Sequence, residues 1–418
     1  MSPTSRRQHQ RICGCNKPPA HHDSHPDGAT TICPEIIDII IDFLHDDKHT
    51  LQTCALVSKS WLPASRYHLT RSITVDSRNA CTFRRLLCCR HSTLPSSILH
   101  LQVGLSRYPF WTPPVNFIPH LRALRSLTLI CKLQHNTLPR SLDGFKTITI
   151  LKLSCISIPT CGTLLRILAA TPLLETVTLL DIKWSTIGHV PDPQSFPYLH
   201  TLSTHCETSS HILDWLSKRP LPALISVSIR ADSGIARSQF LRTLGSSLQH
   251  LQVKMFVGGV HRCHFGNADE VIFFNSVDLS TNTTLRSITI DSLSLPTGHF
   301  KVDACFLPLL SMLFRINSSC LDTISLTLTS NPYHVDVTKV PWTQLAQSVI
   351  THLNSLRSLN IILPGIFLSP RKRRTLNFEV ERRDCLMKNM EQEITGKLSD
   401  IRLGEKPLLA ITNISFPP

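Results

Sequence analysis

A six-residue pattern, Leu-x-x-Leu-x-Leu with Ile or Val often standing for Leu, begins at Ile98, Leu124, Ile148, Leu174, Leu199, Leu224, Leu248, Leu285, Leu321 and Leu356. The first seven starts lie 24 to 26 residues apart, and the last three intervals lengthen to 37, 36 and 35. A period in this range predicts strand–turn–helix units too small to bury their own apolar face, so that neighbours stack around one continuous core. Thr163–Ala170 before Leu174, His211–Leu216 before Leu224 and Leu309–Phe314 before Leu321 read as the helices. Such arrays bind partners along an extended face, and an enzyme built on one needs separate catalytic motifs.

Within each copy the apolar residues face the core, so the residues between and beside them face outward. Those outward positions are mostly Ser and Thr; besides His100 and Asp291 they include the ionisable residues Lys152, His205, Arg230, His250 and Lys254. These five are the expected substrate-binding face, and Lys152, Arg230 and Lys254 are expected to meet an acidic segment. The lengthened late intervals imply insertions. The largest, 254–284, contains Phe274-x-x-Val277-x-Leu279, which imitates a repeat start and leaves two registers open there. Lys132, Ile156, Ile182 and Glu207 occupy the positions after the pattern, and Cys131, Cys155 and Cys206 fall one residue earlier, where they are expected as buried filler.

At 418 residues, 42% hydrophobic and only 17% charged, the chain is globular rather than disordered. A net charge of +14 favours acidic partners. Residues 1–30 read as a disordered polar arm without the apolar run of a secretory signal. Ile36–Leu44 is too short, and too interrupted by Asp38 and Asp42, to span a bilayer. No membrane partner is expected, the localisation is expected to be cytoplasmic or nuclear, and the 15 cysteines are expected as reduced, buried thiols.

No metal, cofactor or catalytic site is expected. Cys13, Cys15, His21, His22 and His25 match no tetrahedral spacing, and Gly258-Gly259 with His261, Cys263 and His264 lacks the order of a phosphate-binding loop. There is no nucleophile elbow and no His-Glu-x-x-His. Arg371-Lys372-Arg373-Arg374 has no interleaved aromatic residues and reads as a solvated loop, so nucleic acid is not the expected partner.

Ahead of the repeats, Pro34 suits the first position of a helix and Glu35 its N-terminal dipole. Glu35, Asp38 and Asp42 then form one narrow polar stripe on a helix apolar elsewhere, which is expected to be buried on more than one side. A second helix starts near Thr50 and carries Leu51, Cys54, Ala55, Ser58, Trp61 and Leu62 at helical spacing. The run Ile32-Cys33-Pro34-Glu35-Ile36, then Ile40, Leu44, Leu51 and Cys54, then Leu56-Val57-Ser58-Lys59-Ser60-Trp61, resembles the F-box motif. With the repeats behind it, the chain is similar to F-box/leucine-rich-repeat proteins. That resemblance implies a non-enzymatic substrate receptor: the motif binds the Skp-family adaptor of a cullin–RING ubiquitin ligase, and the repeats capture a target protein. It assigns adaptor contact, or the shaping of it, to Pro34, Glu35, Ile36, Ile40, Leu44, Leu51, Leu56, Val57 and Trp61.

The expected fold is α/β, with an N-terminal three-helix F-box-like module followed by an irregular leucine-rich-repeat solenoid, a horseshoe. The expected divisions are 1–30 arm, 31–70 helical module, 71–97 helical connector, 98–380 repeats, and 381–418 capping helix and tail. A repeat scaffold outside any ligase, and a basic nucleic-acid-associated protein, are the competing readings.

Overall fold

The computed structural model describes residues 32–89, 92–105, 121–131, 146–206, 209–231, 235–255, 268–294, 303–329 and 356–362, with isolated residues between 388 and 410. The chain divides into two compact units, Met1–His68 and Leu69–Pro418. Described helices of the first are α1 (Pro34–Phe43), α2 (Lys48–Val57) and the start of α3 (Leu62–Arg71). The second contains β1 (Ser72–Val75), α4 (Ala80–Leu87), α5 (Leu94–Ser97), β2 (His100–Leu105), β3 (Ser126–Cys131), β4 (Ile150–Ser154), β5 (Ser157–Thr160) and α6 (Cys161–Ala169). It continues with β6 (Thr176–Leu180), β7 (Lys183–Thr186), β8 (Thr201–His205), α7 (Ser210–Ser217), β9 (Ser226–Arg230), α8 (Ile235–Leu244), β10 (His250–Lys254) and α9 (Ala268–Ser276). It closes with β11 (Ser287–Ser294), α10 (Asp303–Phe314), β12 (Thr323–Thr329) and β13 (Ser358–Ile362).

Eleven of these strands, joined by the short segment Leu409–Ala410, form a 12-stranded sheet in the order β1-β2-β3-β4-β6-β8-β9-β10-β11-β12-β13. Every pairing in it is parallel. The pattern explains why. Each copy places one apolar residue before its strand and two within it, and every such anchor from Ile98 to Ile361 is buried. Thr204 is the single polar residue at an anchor position. Burying one such Leu or Ile side chain contributes roughly 1.5–3 kcal/mol, repeated in every layer. A one-residue slip would turn each anchor into solvent, so the anchors fix the register.

A backbone ladder extends this register beyond the strand starts. The N–H of Arg125 donates to the Leu99 carbonyl at 2.9 Å, Glu175 to Thr149 at 2.8 Å, His200 to Glu175 at 2.9 Å and Gln249 to Ile225 at 2.9 Å. The same step recurs from Arg286 to Gln249 at 2.7 Å and from Arg357 to Asp322 at 2.9 Å. On the other layer α6 to α10 pack in sequence, each against the next. Arg315 donates to the Phe274 and Asn275 carbonyls and so satisfies the C-terminal end of α9.

The α/β class stands, but the three-helix module does not. α3 begins in the first unit, ends in the second and runs without a break into β1. The reason is compositional: Leu-Pro-Ala-Ser-Arg-Tyr-His-Leu-Thr-Arg has no apolar stripe, and Ser65 is the only residue of α3 that is buried. It cannot close a three-helix core. The expected helical connector 71–97 likewise opens with a strand, β1, which pairs with β2 from Ser72 opposite His100 to Val75 opposite Val103.

Other expectations also change. In the 254–284 insertion, Phe274-x-x-Val277-x-Leu279 is the end of α9 and the turn after it, and β10 pairs directly with β11. Cys155 is exposed rather than buried filler, whereas Cys206 is buried. Among the cysteines whose burial is described, Cys54, Cys161 and Cys206 are buried and Cys33, Cys81, Cys88, Cys89, Cys155 and Cys320 are exposed. The arm 1–30 and the Arg371–Arg374 cluster lie outside the described residues. So does most of the expected capping helix, of which Lys388, Gln392 and Gly396 are described as helical.

Among the described glycines, Gly162 at the start of α6 meets the closest backbone approach. A Cβ on Gly162 would lie 1.9 Å from the His189 carbonyl oxygen, and the Gly162 N–H donates to Ile187 at 2.8 Å. Gly162→Ala is therefore expected to destabilise the protein by about 1–3 kcal/mol, the cost of forcing a packed backbone apart. Urea denaturation checks this against Gly245→Ala, where a Cβ meets nothing within 4 Å and only the left-handed backbone, at φ 52°, costs energy.

Candidate functional site

The first unit leaves a helix face uncovered. Asp47 caps α2 by accepting from the N–H groups of His49 at 3.1 Å and Thr50 at 3.0 Å. Asp42 on α1 accepts from His68 Nε2 at 2.7 Å and ties α1 to α3. With α1 fixed in rotation, Ile37 and Ile41 point into the unit's core beside Leu51 and Cys54. Ile36, Ile39, Ile40 and Phe43, spaced i, i+3, i+4 and i+7, share the opposite face, and all four are exposed, Phe43 by 87%. At the C-terminal end of α2, Leu56 is 88% and Val57 64% exposed.

The expectation that α1 is buried on more than one side is thus overturned for this chain, because one core stripe suffices to fold it. Among the residues assigned to adaptor contact, Ile36, Ile40, Leu56, Val57, Pro34 and Glu35 are exposed, and Leu44 and Trp61 half-buried. Leu51 is fully buried and belongs to the core. Sequence reasoning missed Ile39 and Phe43, although their spacing from Ile36 was the available signal.

On the second unit's sheet the outward positions line up in rows. Lys152 pairs in register with Thr178 of β6, Thr178 with Ser203, and Gln252 with Ser228. Lys254 sits opposite both Arg230 and Asp291, at the C-terminal ends of β9 and β10 and at the bulge within β11. The sheet therefore brings His205, Arg230 and Lys254 together at one edge. It does not bring Lys152, which lies on β4, about 14 Å or three strand spacings from β9. Nor does it bring His250, at the other end of β10, which bonds Ser287 at 2.8 Å.

A chain of neutral side chains crosses the same edge. Ser228 Oγ donates to Gln252 Oε1 at 2.8 Å, and Gln252 Nε2 donates to Asp291 Oδ2. Thr327 Oγ1 donates to Asp291 Oδ1 at 3.1 Å. Ser228 has one proton and spends it on Gln252, so the 3.1 Å contact with His205 requires His205 Nε2 to be the donor. A bulge between Ile290 and Leu293, with Ser292 at φ 64°, places Asp291 at the sink of this relay. Asp291 was among the outward positions of the sequence, but its role comes from the bulge.

Burial pushes the His205 imidazole down to about 4, helped by the positive charges of Lys254 and Arg230 and opposed by Asp291 and Asp181. A neutral His205 among four charged neighbours marks this edge as the most electrostatically perturbed place on the described sheet. Among the described residues no cluster of three His, Cys, Asp or Glu side chains could hold a metal ion, and no helix is long and apolar enough to cross a membrane. No protein-family model matches the chain, and no curated protein matches it.

Because the folded-state value for His205 lies below the unfolded 6.5, the unfolded chain binds the extra proton between them. Stability is expected to fall as pH drops from about 6.5 to about 4. His205→Gln is expected to flatten that part of the profile, as read from melting temperature against pH. An unchanged slope would place the titration elsewhere.

Proposed function

We propose that this protein is the substrate-receptor subunit of a ubiquitin ligase of the Skp–cullin–F-box type. The apolar face of α1 docks on the Skp-family adaptor, the outward face of the repeat sheet captures a target protein, and partner subunits carry out ubiquitin transfer. The observation that carries this reading is the exposed stripe Ile36, Ile39, Ile40 and Phe43. Covering each side chain fully is worth roughly 1.5–3 kcal/mol, and a soluble unit of this size gains nothing by leaving four aligned apolar residues in water. The stripe lies within the segment that resembles the F-box, and a few buried apolar anchors are what dominate the affinity of a helix-face interface.

The sheet suits the capturing half. Most of its outward positions are short hydroxyls on a parallel scaffold, interrupted by Lys152, His205, Arg230, His250, Gln252, Lys254 and Asp291, a surface able to hydrogen-bond an incoming segment.

Ile40→Asp combined with Phe43→Asp is expected to abolish capture of the purified adaptor, a loss of at least about tenfold in affinity. Both residues are exposed, so the melting temperature is expected to stay within experimental error. A double variant that folds and still captures adaptor at full strength would leave the protein as a scaffold outside the ligase.

A further inference from the structure

Positive charge is spread unevenly along this chain. Residues 77–174 hold twelve Lys and Arg and a single acidic residue, Asp143, whereas the rest of the chain holds 31 basic against 28 acidic residues. The first repeats therefore carry most of the excess of +14. The backbone ladder displays part of it. Leu99 donates to the Arg71 carbonyl at 3.0 Å, Arg125 to Leu99 at 2.9 Å, Thr149 to Arg125 at 2.8 Å and Glu175 to Thr149 at 2.8 Å, one row just ahead of the strands. Along that row the first carboxylate is Glu175, two strand spacings or about 10 Å beyond Arg125. Later in the same row Arg286, Asp322 and Arg357 alternate in sign.

Turns bring further cations to the early part of the row. The Thr147 hydroxyl donates to the Leu124 carbonyl at 2.8 Å, which seats Lys146 against the turn carrying Arg122 and Arg125. Lys152 stands on the neighbouring strand, in register with Thr128, which follows Arg125 by three residues. Arg122, Arg125, Lys146 and Lys152 are all exposed, and among the described residues none of them makes an ion pair. Asp143 lies outside the described residues. Charges of one sign gathered in this way repel one another, a cost to the folded state that an anionic partner removes. Phe83, the one Phe, Tyr or Trp described between 77 and 174, is buried and gives a nucleic-acid base no platform to stack on. The four cations turn the corner from the strand-leading turns to the sheet face, a path that an extended peptide follows and a planar bilayer does not.

We infer that this corner of the first repeats is a docking surface for an acidic protein segment, with Arg122, Arg125, Lys146 and Lys152 as its charge-reading residues. Arginine offers a carboxylate a planar fork of donors, and lysine a mobile point charge. Ser126 and Thr128, on the strand beside Lys152, supply outward hydroxyls next to them. The inference rests on the reading of the repeats as the target-capturing surface, and it narrows that target to proteins presenting clustered Asp and Glu. It also places the contact away from the edge of β9 and β10, where carboxylates already accompany the cations.

The test uses the purified full-length chain and a fluorescein-labelled peptide of alternating Glu and Ser, read by anisotropy. The peptide is expected to bind, and to bind more weakly as salt rises, because the contact joins exposed charges. Arg122→Gln combined with Arg125→Gln is expected to weaken binding at least about tenfold, and Lys146→Gln combined with Lys152→Gln comparably. Arg286→Gln combined with Arg357→Gln removes the same charge from the later part of the row and is expected to change binding by less than about twofold. All six positions are exposed, so melting temperatures are expected to match the parent chain. Equal weakening by the early and late pairs would reduce the contact to unspecific attraction and overturn the site. So would unchanged binding by both early pairs. Displacement of the peptide by single-stranded DNA or by phosphatidylserine vesicles, at a lower charge concentration than unlabelled peptide requires, would overturn the choice of partner. Adaptor capture, measured on the same samples, keeps the two readings apart: peptide binding without it removes the ligase and leaves the site, and adaptor capture without peptide binding does the reverse.

Discussion

The structure of the second unit depends on one constraint, the in-register parallel pairing of successive strands, each set by one copy of the six-residue pattern. Three buried anchors per repeat, all apolar except Thr204, hold each layer, and the backbone bond from one repeat's leading N–H to the previous repeat's carbonyl locks layer to layer. Since parallel pairing repeats without reversal, any residue type placed at one outward position acquires the corresponding residue of the next repeat as its neighbour. The rows seen on the outer face are a consequence. Arg230, Lys254 and Asp291 meet because their repeats share register, although they lie 24 and 37 residues apart in sequence.

That geometry also decides how charge is spent. Asp291 occupies a bulge and accepts from Gln252 and Thr327, so the one carboxylate in the row is engaged by neutral partners. His205 is kept neutral at physiological pH by burial and by the two nearby cations. The edge therefore sets two cations, Arg230 and Lys254, beside two carboxylates, Asp181 and Asp291, around a neutral imidazole. The first unit presents the opposite chemistry. Among its described residues the core uses the apolar side chains of Ile37, Ile41, Leu51 and Cys54, and Ile36, Ile39, Ile40 and Phe43 of α1 are left exposed.

The repeat period was enough to read the strands, their anchors and their order, because burial at fixed spacing is a local signal that tertiary context reinforces. Four things were not legible. β1 was hidden because Ser72-Ile73-Thr74-Val75 is a single β-branched run outside the repeat pattern, and only its pairing with β2 makes it a strand. The fate of α3 depended on an absence, the missing apolar stripe between Leu62 and Arg71, which a motif comparison passes over. Which of the five outward candidates meet was likewise a matter of strand order: Lys152 and His250 share the outward face with Lys254 but occupy other strands or other rows. On α1 the sequence showed apolar residues all around the helix. It could not show which half the fold would leave bare, since that is set by Asp42 and His68 fixing the rotation.

Hydrogen–deuterium exchange on the full chain, alone and with the purified Skp-family adaptor, tests the central claim most directly. The account predicts new protection confined to residues 34–57, with exchange in the strands from 100 to 362 unchanged. No change at 34–57, or protection appearing in the strands instead, would contradict it.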